Sequence, residues 1–485
     1  MRFAEAYAEN DVLAVYAKYH LRPNYNHCII YPFDVEEYGT WRRISSIEGV
    51  ALSLLNGERR SKDVAAMLSY LFDIGMGQSE NVMRTMIAHS RSEPGKEFLE
   101  LCKPDGWISN SCNVEKFING FKCDDFDVKK NENKLDVPLS LLLMPSNKCD
   151  VNCIYCYSER RQISHKDHLP VGRWLEIIDE AADNGIDIVT LSGGDPFTYA
   201  GIDELFKKMA SRKIKFLAPT KTYISKERAG ILLDTGMCET STIQISIDGC
   251  GPVVDKMMGV RDYAPRAIES IENLTEKGFF VRTNTVCTPM NLREIPNLVR
   301  MLYKKGVKRA GITNYARSFF RHNEALFLSQ VEIEWAKEQI NKLKDELTWD
   351  QLRCNMGIRD FSCMDIEEKK IGWRKRAHCS GGKSSMSVTA DGRVILCEQV
   401  PQEAPYIVGD LKNNSLREVW NSIDLQAFVC PPKELFSGTV CSDCDVFNEC
   451  HSIYGRCFRD ALFTYGSPYS PSPNCPRAPK GIRMS

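Results

Sequence analysis

Three cysteines within eight residues, Cys149, Cys153 and Cys156 in the run CDVNCIYC, constrain this chain more than any other feature. They belong to a total of 20, and seven more crowd the C-terminal part: Cys379, Cys397, Cys441, Cys444, Cys450, Cys457 and Cys475. The N-terminus carries acids and lacks an unbroken apolar core, so it does not read as a signal peptide. A reducing compartment gives disulfide staples no role, and grouped thiols there point to metal ligation or redox chemistry.

The two groups bracket an alternation of strand and helix patterns. Strands are expected at 139–144, 187–191, 214–217, 242–247, 279–286 and 307–313. Helices are expected at 171–184, 202–211, 226–235, 265–277, 291–305 and 330–347. Six strands alternating with helices imply an α/β fold with a parallel sheet, doubly wound or a partial barrel. In either case the chemistry belongs at the C-terminal strand ends. The first cysteine group directly follows the first strand.

Composition closes off other classes. Lys+Arg at 63 against Asp+Glu at 64 leave no basic surplus for coating nucleic acid or an anionic membrane. No apolar run approaches the ~18 residues of a membrane span. The chain reads as a cytoplasmic protein with neither nucleic acid nor membrane as partner. Residues ~22–105 form a separate small module: an extended stretch at 26–31, a helix from Ser46 carrying Ile47, Val50, Ala51, Leu54 and Leu55, and a second from Ser61 through Val64, Leu68 and Leu71. That order suggests a winged-helix-like domain.

Three thiolates at C-x3-C-x2-C spacing can ligate three irons of a [4Fe–4S] cluster and leave the fourth without a protein ligand. A zinc site usually has four ligands, and no fourth lies nearby. The segment resembles the radical S-adenosylmethionine (SAM) enzymes, in which the open iron chelates SAM. The resemblance implies that Tyr155 packs near the adenine. Gly193-Gly194-Asp195-Pro196 looks like the family's GGEP motif, whose glycines let backbone approach the SAM amino group. QISIDG resembles the family's fourth-strand pattern and marks Ser246 and Asp248 as cofactor contacts; Asn284 on the fifth strand is a further one. Pro219-Thr220-Lys221-Thr222 departs from the familial TNGT and carries no assignment.

The second group resembles the SPASM extension, with Gly392 at its place before Cys397 and a departure of six residues, not three, before Cys457. Carried over in chain order, Cys441, Cys444, Cys450 and Cys475 hold one auxiliary [4Fe–4S] cluster, and Cys379, Cys397 and Cys457 the other. Its fourth ligand is open to Cys354, Cys363 or substrate. Glu398 takes the place of a catalytic base in sulfatase-maturing relatives; an exposed loop glutamate is the plainer expectation. The stretch SSIEGVALSLLNGERRSKDVAAML resembles the precursor-recognition domain of peptide-modifying members, related to the quinone-cofactor chaperone, which captures a leader peptide on a strand edge.

The organisation expected is therefore a winged-helix-like recognition domain at 1–105, a linker at 106–136, a partial (β/α)6 TIM barrel at 137–350, a bridge at 351–378 and a cysteine-rich SPASM domain at 379–485. The resemblance implies a radical SAM enzyme that modifies a ribosomally made precursor peptide, by preference forming a cysteine thioether, with a flavodoxin or ferredoxin-type reductant. Carbon–carbon crosslinking, epimerisation and side-chain oxidation use the same radical chemistry. A zinc-dependent DNA-binding regulator is the rival from another class.

Overall fold

The structure, a computed structural model, describes residues 10–16, 18–25, 27–35, 41–92, 97–101, 134–158, 168–376, 379–451 and 455–485. Cys102, Cys112, Cys123 and most of the expected linker lie outside the described residues. The chain divides into two compact units, Met1–Lys130 and Asn131–Ser485.

Among the described residues, the first unit holds two antiparallel sheets and three helices. Strands β2 (Tyr19–Asn24), β3 (His27–Pro32) and β4 (Arg42–Ser45) pair in sequence order. β1 (Val12–Val15) lies between β5 (Asn56–Arg60) and β6 (Leu99–Leu101). Ser45 caps helix Ser46–Leu54 through a reciprocal box with Glu48, which satisfies two otherwise orphaned donors. Val50, Ala51 and Leu54 pack with Val64, Leu68 and Met83 in one core. The sequence pattern falls short twice. Leu71 is 45% exposed, at the fraying end of helix Ser61–Phe72. A third helix, Met76–Ser90, shows weak apolar periodicity because Met83, Met86 and Ile87 are its main anchors.

The second unit is built on one ten-stranded sheet, in the order β13-β12-β11-β10-β9-β8-β7-β14-β15-β16. The expected strands are β7 (Ser140–Ser146), β8 (Ile188–Gly193), β9 (Lys215–Thr220), β10 (Ser241–Ser246), β11 (Val281–Cys287) and β12 (Arg309–Asn314). All neighbouring pairs among them are parallel. A short seventh, β13 (Leu352–Asn355), joins β12 in parallel. β14 (Ser385–Val388) adds in parallel to β7, followed by antiparallel β15 (Arg393–Ile395) and β16 (Ile407–Asp410). The cysteine-rich segment thus continues the barrel sheet.

Helices Val171–Asp183, Ile202–Ser211, Lys226–Asp234, Tyr263–Glu276, Ile295–Lys304 and Gln330–Leu347 cross between strands. Their apolar faces, including Trp174, Phe206, Leu298 and Ile340, bury against Ile243, Ile245, Val281 and Ile312. The alternate residues therefore line the other face of the sheet. Ser246, Asn284 and Gly311 stand side by side there, since Ser246 pairs with Asn284 and Asn284 with Gly311. Among the described residues, no helix is long and apolar enough to cross a membrane.

Candidate functional site

The loop after β7 carries the first cysteine group and is pinned from two directions. Asn152 N donates to Met258 O at 2.7 Å and Ile154 N to Met257 O at 3.0 Å, tying it to the short helix Val253–Met258. The segment after β12 clasps it from the other side. Ser318 Oγ donates to Cys156 O at 3.0 Å, and Arg321 Nη1 donates to Cys153 O at 3.0 Å and Asn152 O at 3.3 Å. Tyr315, Leu326 and Phe327 pack against Ile154 and Tyr155. The loop is thus a fixed cradle for three thiols. Burial raises Cys149 to about 11 in the absence of a metal; a metal that binds thiolate reverses that preference.

The glycine pair fits closely against this loop. A Cβ on Gly193, whose φ is +105°, would lie 2.4 Å from Ser146 O, and one on Gly194 would lie 1.9 Å from Lys148 O. The glycines let β8 abut the backbone leading into Cys149. Asp195 N donates to Lys148 O across the same seam. The Asp195 carboxylate, expected to face cofactor, is used within the fold. It accepts from Phe197 N, Thr220 Oγ1, Lys221 N and Thr222 N. The PTKT segment is therefore the partner of Asp195.

Tyr155 donates its hydroxyl to Asp248 Oδ2, and Asp248 Oδ1 accepts from Val286 N at 2.8 Å. Asn291 Nδ2 donates to Asp248 O at 2.7 Å. Asp248 is fully buried, so burial raises its carboxyl, opposed by Lys221, Tyr155 and the Val286 amide. Burial pulls Lys221 down, but Cys153, Asp248, Cys149 and Cys156 outweigh this and raise it. Lys221 is thus a cation facing all three thiols, and sequence reasoning missed it because it sits inside the segment that departs from the familial pattern. Asn284 faces Gly311, where a Cβ would come within 3.3 Å of its Oδ1.

Glu398 is not an exposed loop side chain. Ser192 Oγ, at the C-terminal end of β8, donates to Glu398 Oε2, and the Tyr157 hydroxyl lies 3.4 Å from Ser192 Oγ. Burial raises the Glu398 carboxyl above the ordinary range, countered by Ser192, Tyr157 and Arg459. Tyr157 lies deep enough for burial to raise its phenol well above the usual value, yet 39% of its surface faces open space. Through chain neighbours the three side chains join Cys156, Gly193 and Cys397.

The C-terminal cysteines form two sets. Cys441, Cys444, Cys450 and Cys475 line one cavity of about 140 Å³. Four thiols around one space are a donor set that fits a [4Fe–4S] cluster. Cys379 lines a neighbouring cavity, and its thiol acts on both Cys397 and Cys457. The candidates for a fourth ligand lie elsewhere. Cys354 on β13 acts on Cys287, and Cys363 is exposed with its thiol 3.6 Å from Asp360 O.

A three-thiol cradle at the C-terminal ends of a parallel partial barrel, followed by a cysteine-rich extension of the same sheet, defines an iron–sulfur enzyme of the barrel type. The comparisons narrow this. Residues 143–302 match the radical SAM superfamily, and residues 379–445 match SPASM, an iron–sulfur cluster-binding domain. The chain thus carries a radical SAM domain and a SPASM domain, and [4Fe–4S] clusters and SAM are its cofactors. It is 24% identical over 357 residues to the PqqA peptide cyclase of Methylorubrum extorquens strain PA1, covering 72% of this chain and 88% of that protein. Over 165 residues it is 25% identical to the Fe-coproporphyrin III synthase of Methanosarcina barkeri, covering 34% of this chain and 41% of that one. Its fold resembles Streptococcus suis SuiB with a TM-score of 0.66 at 19% identity, covering 95% of this chain and 99% of SuiB.

Proposed function

We propose that this enzyme modifies a ribosomally made precursor peptide, capturing its leader on the N-terminal unit and forming a cysteine sulfur-to-carbon thioether. The observation that carries peptide capture is the edge strand β4, which pairs with β3 alone among the described residues. An edge strand can offer backbone donors and acceptors to an added peptide strand. Similarity to PqqA peptide cyclase over 88% of that protein supports the reading, as does the fold shared with SuiB, which has been solved with its precursor peptide SuiA.

Bound together, a SAM-ligated cluster and SAM supply a 5′-deoxyadenosyl radical after one electron arrives from a flavodoxin or ferredoxin-type donor. Cys149, Cys153 and Cys156 hold that cluster, with Ser318 and Arg321 fixing the loop they stand on. Tyr155, the Gly193–Gly194 seam, Ser246, Asp248 and Asn284 shape the cofactor space. Asp195 acts through the loop it fixes. Cys441, Cys444, Cys450 and Cys475 hold one auxiliary cluster, and Cys379, Cys397 and Cys457 another.

Each thioether removes two hydrogens from the peptide. One would leave as a hydrogen atom through the radical chemistry that bound SAM and its cluster would supply, the other as a proton, with the surplus electron left to the auxiliary clusters that the C-terminal cysteines would hold. Glu398, oriented by Ser192 beside Tyr157, is placed to take the proton. The three-thiol set at Cys379, Cys397 and Cys457 favours a sulfur substrate, because an iron lacking a fourth cysteine can accept a peptide thiolate. Co-expression with a short cysteine-bearing reading frame beside this one tests the proposal by tandem mass spectrometry. The expected product is two mass units lighter per link, with one cysteine no longer alkylatable. Unchanged mass, or loss of two hydrogens with every cysteine free, would overturn the thioether; no leader binding would overturn the peptide reading.

A further inference from the structure

Two buried cations, Arg456 and Lys383, lie beside the auxiliary cysteine sets; Lys383, 4% exposed, donates Nζ to His451 O at 2.8 Å and lines the cavity that holds Cys379, whereas Arg456 lines the cavities of both sets. Arg456 is 9% exposed, and its Nε donates to His451 Nε2 at 3.0 Å while Nη1 donates to Ser470 O at 3.1 Å. His451, 4% exposed, has Nδ1 2.8 Å from Phe447 O. A carbonyl only accepts, so this bond places the imidazole proton on Nδ1 and leaves Nε2 to receive Arg456. The Phe436 ring centroid lies 4.8 Å from the guanidinium carbon. Arg456 and His451 line the cavity of Cys441, Cys444, Cys450 and Cys475, and both also line the adjoining cavity that holds Cys379.

The charge environment of Arg456 is unusual. Nearby Arg459 pairs with Asp460 and Arg477 with Asp445. Among the described residues Arg456 forms no ion pair with a carboxylate; the charges that act on it are the thiols of Cys441, Cys450, Cys457 and Cys379, two from each set. A buried guanidinium held by neutral partners costs several kcal/mol unless opposite charge compensates it. Thiolate-ligated clusters carry that opposite charge.

We propose that Arg456, oriented by His451 and Ser470, is a shared counter-cation of the two auxiliary clusters and raises both reduction potentials together. This rests on the two-cluster assignment above. Reduction adds negative charge to a cluster, so a fixed cation beside both stabilises the reduced form of each. Arg456 is a positioning residue for charge.

The test uses the full chain with Cys149, Cys153 and Cys156 changed to Ala, reconstituted anaerobically so that the auxiliary signals stand alone. Iron and sulfide content and EPR-monitored redox titration are read for this background, Arg456→Gln, Arg456→Lys and Arg477→Gln. Arg477 Nη1 lies 3.5 Å from Cys444 Sγ and serves as a control on one set. The expected result is a joint shift of both midpoints to more negative values in Arg456→Gln. Arg456→Lys should stay near the background, and Arg477→Gln should move one midpoint at most. If Arg456→Gln loses iron, full loading with unshifted midpoints in Arg456→Lys still supports charge as the requirement. Gln and Lys variants that behave alike, or a shift confined to one cluster, would overturn the inference. A background protein with fewer than two auxiliary clusters would instead overturn the cluster assignment on which it rests.

Discussion

Gly194→Ala is the smallest change that should misplace the first thiol. The added Cβ would stand 1.9 Å from Lys148 O and 2.5 Å from the carbonyl carbons of Asn147 and Lys148. Real Cβ contacts essentially never fall below 3.0 Å. One of the two loops must therefore retreat by about 1.1 Å, and a backbone carbonyl cannot swing aside as a flexible side chain can. The retreat loosens Gly194 N to Ser146 O, 2.8 Å, and Asp195 N to Lys148 O. At roughly 1 kcal/mol for each of the two bonds and about 1–3 kcal/mol for overpacking, the expected destabilisation is about 3–5 kcal/mol. Lys148 adjoins Cys149, so the shift reaches the thiol cradle, where a 1 Å misplacement costs about 100-fold in rate. Deoxyadenosine formation under anaerobic reduction, with iron content and a melting curve, measures both effects. Gly230→Ala is the control: it lies in helix Lys226–Asp234 with nothing within 4 Å of the added carbon. It should be neutral or stabilise by about 0.5–1 kcal/mol. A Gly194→Ala protein with wild-type rate, iron and melting temperature would refute the steric argument.

Other perturbations separate the parts. Glu398→Gln keeps the bond to Ser192 but cannot take a proton; it should form deoxyadenosine while losing crosslinked peptide, as mass spectra of the peptide will register. Ser318→Ala with Arg321→Met removes the clasp on the cysteine loop, at roughly 1 kcal/mol per lost bond; SAM-cluster iron should fall while auxiliary iron stays. Deleting residues 1–105 should weaken leader binding by calorimetry and spare peptide-independent SAM cleavage. In the N-terminal unit, burial and then Arg43 lower His27 to about 4, and Asn24 Nδ2 lies 2.9 Å from its Nε2. The folded pKa lies below the unfolded one, so this stability is full above about 6.5 and is lost as pH falls toward 4, on the order of 3 kcal/mol. Hydrogen exchange at β2 and β3 should quicken over that window, and His27→Gln should flatten the response.

What was legible in the sequence is what is local. Cys149, Cys153 and Cys156 sit in one loop, and the barrel strands announce themselves by apolar runs between amphipathic helices such as Ile202–Ser211, whose ends were read correctly. The short strands β13 to β16 were not, because three or four residues carry no resolvable period. Residues that act across long separations gave no signal. Ser318 and Arg321 reach back to the cysteine loop from more than 150 positions away. The motif at Gly193–Asp195 is visible in the sequence, while the close approach of its backbone to Lys148 and the hold of the Asp195 carboxylate on the β9 turn needed the fold. Glu398 was located by its place after Cys397, while its burial against Ser192 needed the fold.

The central claim is that Cys149, Cys153 and Cys156 hold the cluster at which SAM is cleaved. The most direct measurement is deoxyadenosine yield from anaerobically reconstituted protein with dithionite and SAM, compared with the variant in which all three are Ala. The wild type should release deoxyadenosine and methionine. The variant should release none while keeping the iron held by Cys441, Cys444, Cys450 and Cys475. Deoxyadenosine from the triple variant would contradict the account.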